Sequence, residues 1–188
     1  ESVVLMEKML NSNGMILINS YMFFTPEERT ELKQNFEENN IELFFLEERG
    51  IKNSIFDGIE IILNNNLFNM LVGGVLMPAA YDVLKNSLVI IVKKIRNSNV
   101  KLLRANKDPE PVNAVIKVKT DAGEIIASID QELSSEEVEK YIDALIMAHK
   151  IANNTPDNKN QYFIVDKASD GALEVLLLSE YLKRHNKL

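Results

Sequence analysis

The chain has 188 residues, 28 acids, 21 bases, a net charge of −7 and no cysteine. Apolar residues make up 46% and charged residues 26%, a globular composition that excludes a disordered or collagen-like chain. The missing cysteines exclude a disulfide scaffold, a thiolate zinc site, an iron–sulfur centre and a cysteine nucleophile.

Two histidines leave little for a multi-histidine metal site, so no metal and no cofactor is expected. This length fits one domain or two small ones. Asn, Ile and Lys occur 21, 19 and 16 times. Their codons are A/T-rich, which suggests a low-GC bacterium. An acidic chain without cysteine fits a reducing cytoplasm. Residues 2–10 are too short for a secretory leader and carry Glu7 and Lys8 within their apolar pattern.

In chain order, residues 3–10 suit a short helix. Residues 15–18 form a continuous apolar run after Gly14, as in a buried strand. Thr25-Pro26-Glu27-Glu28 starts a helix: Thr25 caps, Pro26 sits at the first helical position and Glu28 completes a capping box. That helix runs to about Asn39 with a narrow stripe of Leu32 and Phe36. Residues 41–46 read as a second strand, parallel to the first across this helix.

Asn53 is expected to cap a helix carrying Ile55, Ile59, Ile62 and Leu63 on one face. Residues 61–81 lack any charged side chain and are long enough to span a bilayer. Asn64, Asn65, Asn66 and Asn69 oppose that, since each amide would need a partner in lipid. A helix break and a buried helical pair are expected instead, with no membrane span. Pro78 opens a long helix to about Asn97, with Ala80, Leu84, Leu88, Ile91 and Ile95 at spacings of four and three. Val83, Val89, Ile90 and Val92 widen its apolar arc, so cover on more than one side is expected.

Two prolines in Lys107-Asp108-Pro109-Glu110-Pro111 make this stretch the linker candidate. Residues 112–120 and 124–130 then read as strands joined by Asp121-Ala122-Gly123. Ser134 and Glu137 form a second capping box for a helix to about Ala152. Residues 161–165 are a last strand. Ser169 or Asp170 is expected to cap a final helix in which Leu173, Leu176, Leu177 and Tyr181 face inward.

The fold class is therefore α/β or α+β. It comprises an N-terminal α-β-α-β unit, an apolar helical middle layer and a C-terminal β-β-α-β-α unit. The expected units are residues 1–106 and 112–188, separate or merged into one domain.

No G-x-G-x-x-G, Walker or G-x-S-x-G spacing occurs, so Gly73-Gly74 reads as a turn. His149 falls on a helix face as a satisfied, half-buried histidine, and His185 lies in a last helical turn, where a cation is favoured. The chemistry-bearing cluster is Glu47-Glu48-Arg49 after the second strand. Parallel pairing places it beside Asn19 and Ser20 at the end of the first, where open sheets bind ligands. Glu47 and Glu48 are the acid–base candidates; Asn19, Ser20 and Arg49 are the ligand-binding candidates, with Arg49 for an anion.

Lys85, Lys93, Lys94, Arg96, Lys101 and Arg104 form a basic block without acids. No aromatic is interleaved for base stacking, so nucleic acid is not favoured and the block is expected to face acids. The leading expectation is a cytoplasmic protein-interaction or oligomerisation module, homo-oligomeric through helices 53–97. The alternative is a small nucleotide- or sugar-binding enzyme or sensor at the carboxyl ends of the first two strands.

Overall fold

The computed structural model describes residues 7–9, 11–47, 58–103, 106–120, 123–129, 133–154 and 161–185. Glu7 to Met9 are helical, and the rest of the expected first helix lies outside the described residues. The fold is mixed α/β, built on a seven-stranded sheet in the order β2-β1-β3-β6-β7-β8-β9. Its strands are β1 (Gly14–Ile18), β2 (Glu42–Leu46), β3 (Ile59–Leu63), β6 (Ala114–Thr120), β7 (Gly123–Ile129), β8 (Gln161–Lys167) and β9 (Leu173–Leu177). A separate short pair joins β4 (Lys101–Leu102) to β5 (Glu110–Pro111) across the proline-rich stretch.

The expected parallel pairing of the first two strands is present, with Gly14 against Glu42 and Ile18 against Leu46. Every residue of β1 is buried, as its unbroken apolar run requires. Helix α1 (Pro26–Glu37) connects the pair and starts with the full Thr25–Glu28 capping box. The β6–β7 hairpin is also formed, although Asp121 and Ala122 of its loop lie outside the described residues.

Two expectations are corrected. Residues 59–63 are not helical: they form β3, buried throughout, antiparallel to β1 and parallel to β6. Ile59, Ile62 and Leu63 fit a helical spacing, but a short β-branched apolar run fits a two-sided strand equally, and pairing on both edges decides it. Asn53 and Ile55 lie outside the described residues. Residues 173–177 form strand β9 instead of opening the last helix. Asp170 does cap, but it caps a turn: its Oδ1 accepts the Ala172 N–H at 3.0 Å while Gly171 N–H donates to Ala168 O at 2.9 Å. The final helix, α5 (Leu178–Arg184), begins only where the Leu177 N–H meets Glu180 Oε2 at 3.1 Å.

The uncharged run 61–81 is thus divided among β3, the short helix α2 (Asn65–Val72) and the start of α3 (Pro78–Arg96). No helix among the described residues is long and apolar enough to cross a membrane. Helices α1, α3 and α4 (Ser135–Asn154) pack side by side on one face of the sheet, with α2 beneath them. Leu84, Leu88, Ile91 and Ile95 of α3 are fully buried there, each stabilising by roughly 1.5–3 kcal/mol. Most of the wide apolar arc of α3 is covered, by α1 on one flank and α4 on the other, while Ile90 stays exposed. The opposite sheet face is covered by α5, whose Tyr181 packs on Val115, Ile126 and Ile164, and by Met9 over Ile16, Ile18 and Ile62.

Candidate functional site

At the carboxyl end of β1 the chain turns sharply. Asn19 takes φ 58°, a left-handed conformation that asparagine tolerates, and its N–H donates to Leu46 O at 2.8 Å. A short 3₁₀ turn, Tyr21–Phe23, follows. Glu47, at the end of β2, accepts the Tyr21 N–H on Oε1 at 2.8 Å. The structure therefore brings Asn19, Ser20 and Glu47 to one end of the parallel pair. Glu48 and Arg49 lie outside the described residues.

The environments of these three residues differ. Glu47 is exposed and holds a backbone donor. Ser20 is fully buried, and its Oγ has no hydrogen-bond partner among the described residues. Among the described residues, Arg29 of α1 lies beside the 3₁₀ turn. Its Nη1 donates to Phe24 O at 2.6 Å and Tyr21 O at 3.3 Å, and its guanidinium lies 4.5 Å over the Tyr21 ring. Sequence reading missed Arg29 because it lies among the polar residues of an otherwise solvated helix; the aromatic Tyr21-Met22-Phe23-Phe24 run was the available signal.

A trough runs along α3, beside the Tyr21–Phe23 turn at one end and beside α1 at the other. Its larger part, about 480 Å³, is lined by Met22, Phe23, Ile90, Lys93, Lys94 and Asn97. A smaller part, about 170 Å³, is lined by Phe24, Glu28, Glu31, Leu32, Ile90 and Lys94. Ile90 and Lys94 are shared, so one end is basic, the other acidic, and Ile90 stands between them. Met22 is 67% and Ile90 47% exposed. Neither part is lined by Asn19, Ser20 or Glu47.

Part of the basic block faces acids of its own chain. Lys85 pairs with Glu139 at 2.7 Å, Lys94 pairs with Glu28, and Arg96 donates to Asn113 Oδ1 at 3.0 Å. The hydrogen bond from Lys94, with that from the Thr25 backbone, holds the Glu28 carboxyl below the ordinary carboxylate range. Lys93 and Lys101 are exposed, and Arg104 lies outside the described residues.

On the other sheet face Lys117 lies between Glu60 and Glu124, at 3.1 and 3.7 Å. Glu60 was hidden from sequence reading by the helical assignment of its strand. His149 is buried, with Asn153 Nδ2 3.2 Å from its Nδ1 and the Phe68 ring against it. His185 Nε2 lies 2.9 Å from Asp166 Oδ2. Among the described residues no group of three or more His, Asp or Glu is arranged to hold a metal ion. Comparison of the chain with protein-family models, with curated proteins and with solved structures finds no match.

Proposed function

We propose that the chain is a protein-interaction and oligomerisation module, acting in the cytoplasm of a bacterium, whose contact surface is the trough that α3, in the 53–97 segment, forms with α1 and the Tyr21–Phe23 turn. The supporting observation is the exposure of Met22 and Ile90 on an apolar floor between charged ends of opposite sign. A two-fold axis near Ile90 sets the basic end of one copy, with Lys93, over the acidic end of its twin, with Glu31. Apolar contact at the centre and charge matching at the ends favour a second copy as the occupant. The compartment and source rest on composition: no cysteine, an acidic balance and abundant Asn, Ile and Lys.

Sedimentation equilibrium at tens of micromolar tests the reading. Wild-type protein is expected above the monomer mass, and Ile90→Asp in a smaller species with unchanged circular dichroism. A wild-type monomer, or Ile90→Asp sedimenting like wild type, would overturn it.

A second reading keeps Asn19, Ser20 and Glu47 as a ligand site for a small nucleotide or sugar. The buried Ser20 hydroxyl, without a partner among the described residues, favours it, because buried polar atoms are ordinarily satisfied. A thermal-shift screen against nucleotides and sugars tests this reading, since a ligand of the native state raises the midpoint. No shift with any of them would dismiss it.

A further inference from the structure

We propose that the basic end of the trough binds a small amphipathic carboxylate, an aliphatic chain with one anionic head, which competes there with the second copy of the chain. The competition rests on the trough reading and gives that contact a regulator.

The larger part of the trough has the size of a small-molecule site. Its volume of about 480 Å³ lies within the usual range of roughly 300–1,000 Å³. Met22, Phe23 and Ile90 make its apolar wall. Phe23 is held by the 3₁₀ turn, where its N–H donates to Ser20 O at 3.0 Å. Its ring is buried, so the wall suits an aliphatic body better than a stacked planar one. Met22 is exposed and unbranched, and such a side chain adapts its shape to an aliphatic chain.

Charge selects the head. Among the described residues this part is lined by Lys93 and Lys94 and by no carboxylate. Lys94 is already paired with Glu28, which stands in the smaller part. Lys93 is exposed, and its single positive charge is what the site offers. Asn97, four residues on, lies on the same side of α3 and brings an amide donor. The site also stands at the carboxyl end of α3, where the helix dipole contributes partial negative charge. A phosphate dianion is poorly matched there, whereas one carboxylate is balanced by Lys93.

The same geometry makes the ligand a competitor. In the dimer Lys93 meets Glu31 of the twin, and Ile90 packs near the two-fold axis. A bound carboxylate takes the place of that Glu31 head, and its chain covers Ile90. Each copy therefore holds either its twin or the ligand.

The test uses the full chain, with octanoate as the probe and 1-octanol as its neutral counterpart. Octanoate is expected to shift the Met22 and Ile90 methyl resonances in NMR titrations. At about ten times its own dissociation constant it should raise that of the dimer about a hundredfold in sedimentation equilibrium, since two sites must be emptied for each dimer. Octanol should bind about tenfold more weakly. Lys93→Gln, an exposed change, should lose about tenfold in octanoate affinity with unchanged circular dichroism. A dimer that octanoate leaves intact would overturn the inference while the trough reading stands; a wild-type monomer would overturn both. Unmoved Met22 and Ile90 resonances, octanol binding as tightly as octanoate, or Lys93→Gln binding octanoate like wild type would each overturn the site.

Discussion

Lys94 of α3 and Glu28 of α1 form an ion pair, and the same carboxylate accepts the Thr25 N–H at 2.9 Å. One side chain thus caps its own helix and ties that helix to the next. Glu28 is held below its ordinary value of 4.5, first by Lys94 and then by the Thr25 backbone. A carboxyl lowered in the folded state contributes stability that is present above its unfolded value and lost as pH falls through its folded value. Glu28→Gln should therefore lower stability at neutral pH and flatten the acid side of the profile. Urea unfolding from neutral pH into acid should show the two proteins converging below about pH 4.

Thr25→Ala removes the other half of the box, leaving the Glu28 N–H without its Oγ1 acceptor. A loss of about 1 kcal/mol is expected from denaturant unfolding, with the m-value unchanged. Thr25→Ser should retain most of the stability.

Gly123 and Gly74 separate two reasons for glycine. A Cβ on Gly123 would lie 1.8 Å from the carbonyl oxygen of Gln161, the residue paired with it across β7–β8. Gly74 has φ 65° with nothing within 4 Å of an added Cβ. Gly123→Ala should cost about 3 kcal/mol, because backbone must move at a strand pair. Gly74→Ala should cost only the left-handed penalty of about 1–2 kcal/mol. Thermal melts of equal cost would refute the distinction.

The front half was legible where signals agreed. The apolar run of β1 and the Thr25–Glu28 box fixed a strand and a helix start, and parallel pairing then gathered Asn19, Ser20 and Glu47 from segments 26 or more residues apart. Legibility failed where one pattern served two structures. Ile59, Ile62 and Leu63 suit a helix face as well as a strand, and only partners distant in sequence, β1 and β6, choose between them. Asp170 signals a cap without saying whether a helix or a hairpin follows. Arg29 and Met22 were missed because their surroundings depend on the 3₁₀ turn, which no local period announces.

Ser20→Ala tests what the strand end is for. Its hydroxyl is buried without a partner among the described residues, so removal relieves a desolvated group and should leave stability unchanged or raise it by up to about 1 kcal/mol. A marked loss would mean that the hydroxyl makes an interaction the protein needs. If a nucleotide or sugar shifts the wild-type melting midpoint, Ser20→Ala should diminish that shift without lowering the unliganded midpoint.

Cleavage between residues 106 and 109 probes how the two ends of the chain depend on each other. These residues are exposed, and two prolines follow closely. Their loop is bridged by the short Lys101–Leu102 and Glu110–Pro111 pair. Limited proteolysis is therefore expected to nick here before it cuts α4. The halves should nevertheless stay together, because β3 and β6 pair in parallel across the middle of the sheet, from Ile59 against Ala114 to Leu63 against Val118. Separating them would expose Ile61, Leu63, Ala114, Ile116 and Val118, all buried to within 1%. At roughly 1.5–3 kcal/mol per large apolar side chain, that exceeds what a loop of this kind contributes. The nicked protein should elute from size exclusion as one species with the intact chain and separate into two fragments only in denaturant. Fragments that part under native conditions would mean that residues 112–188 hold together without β3.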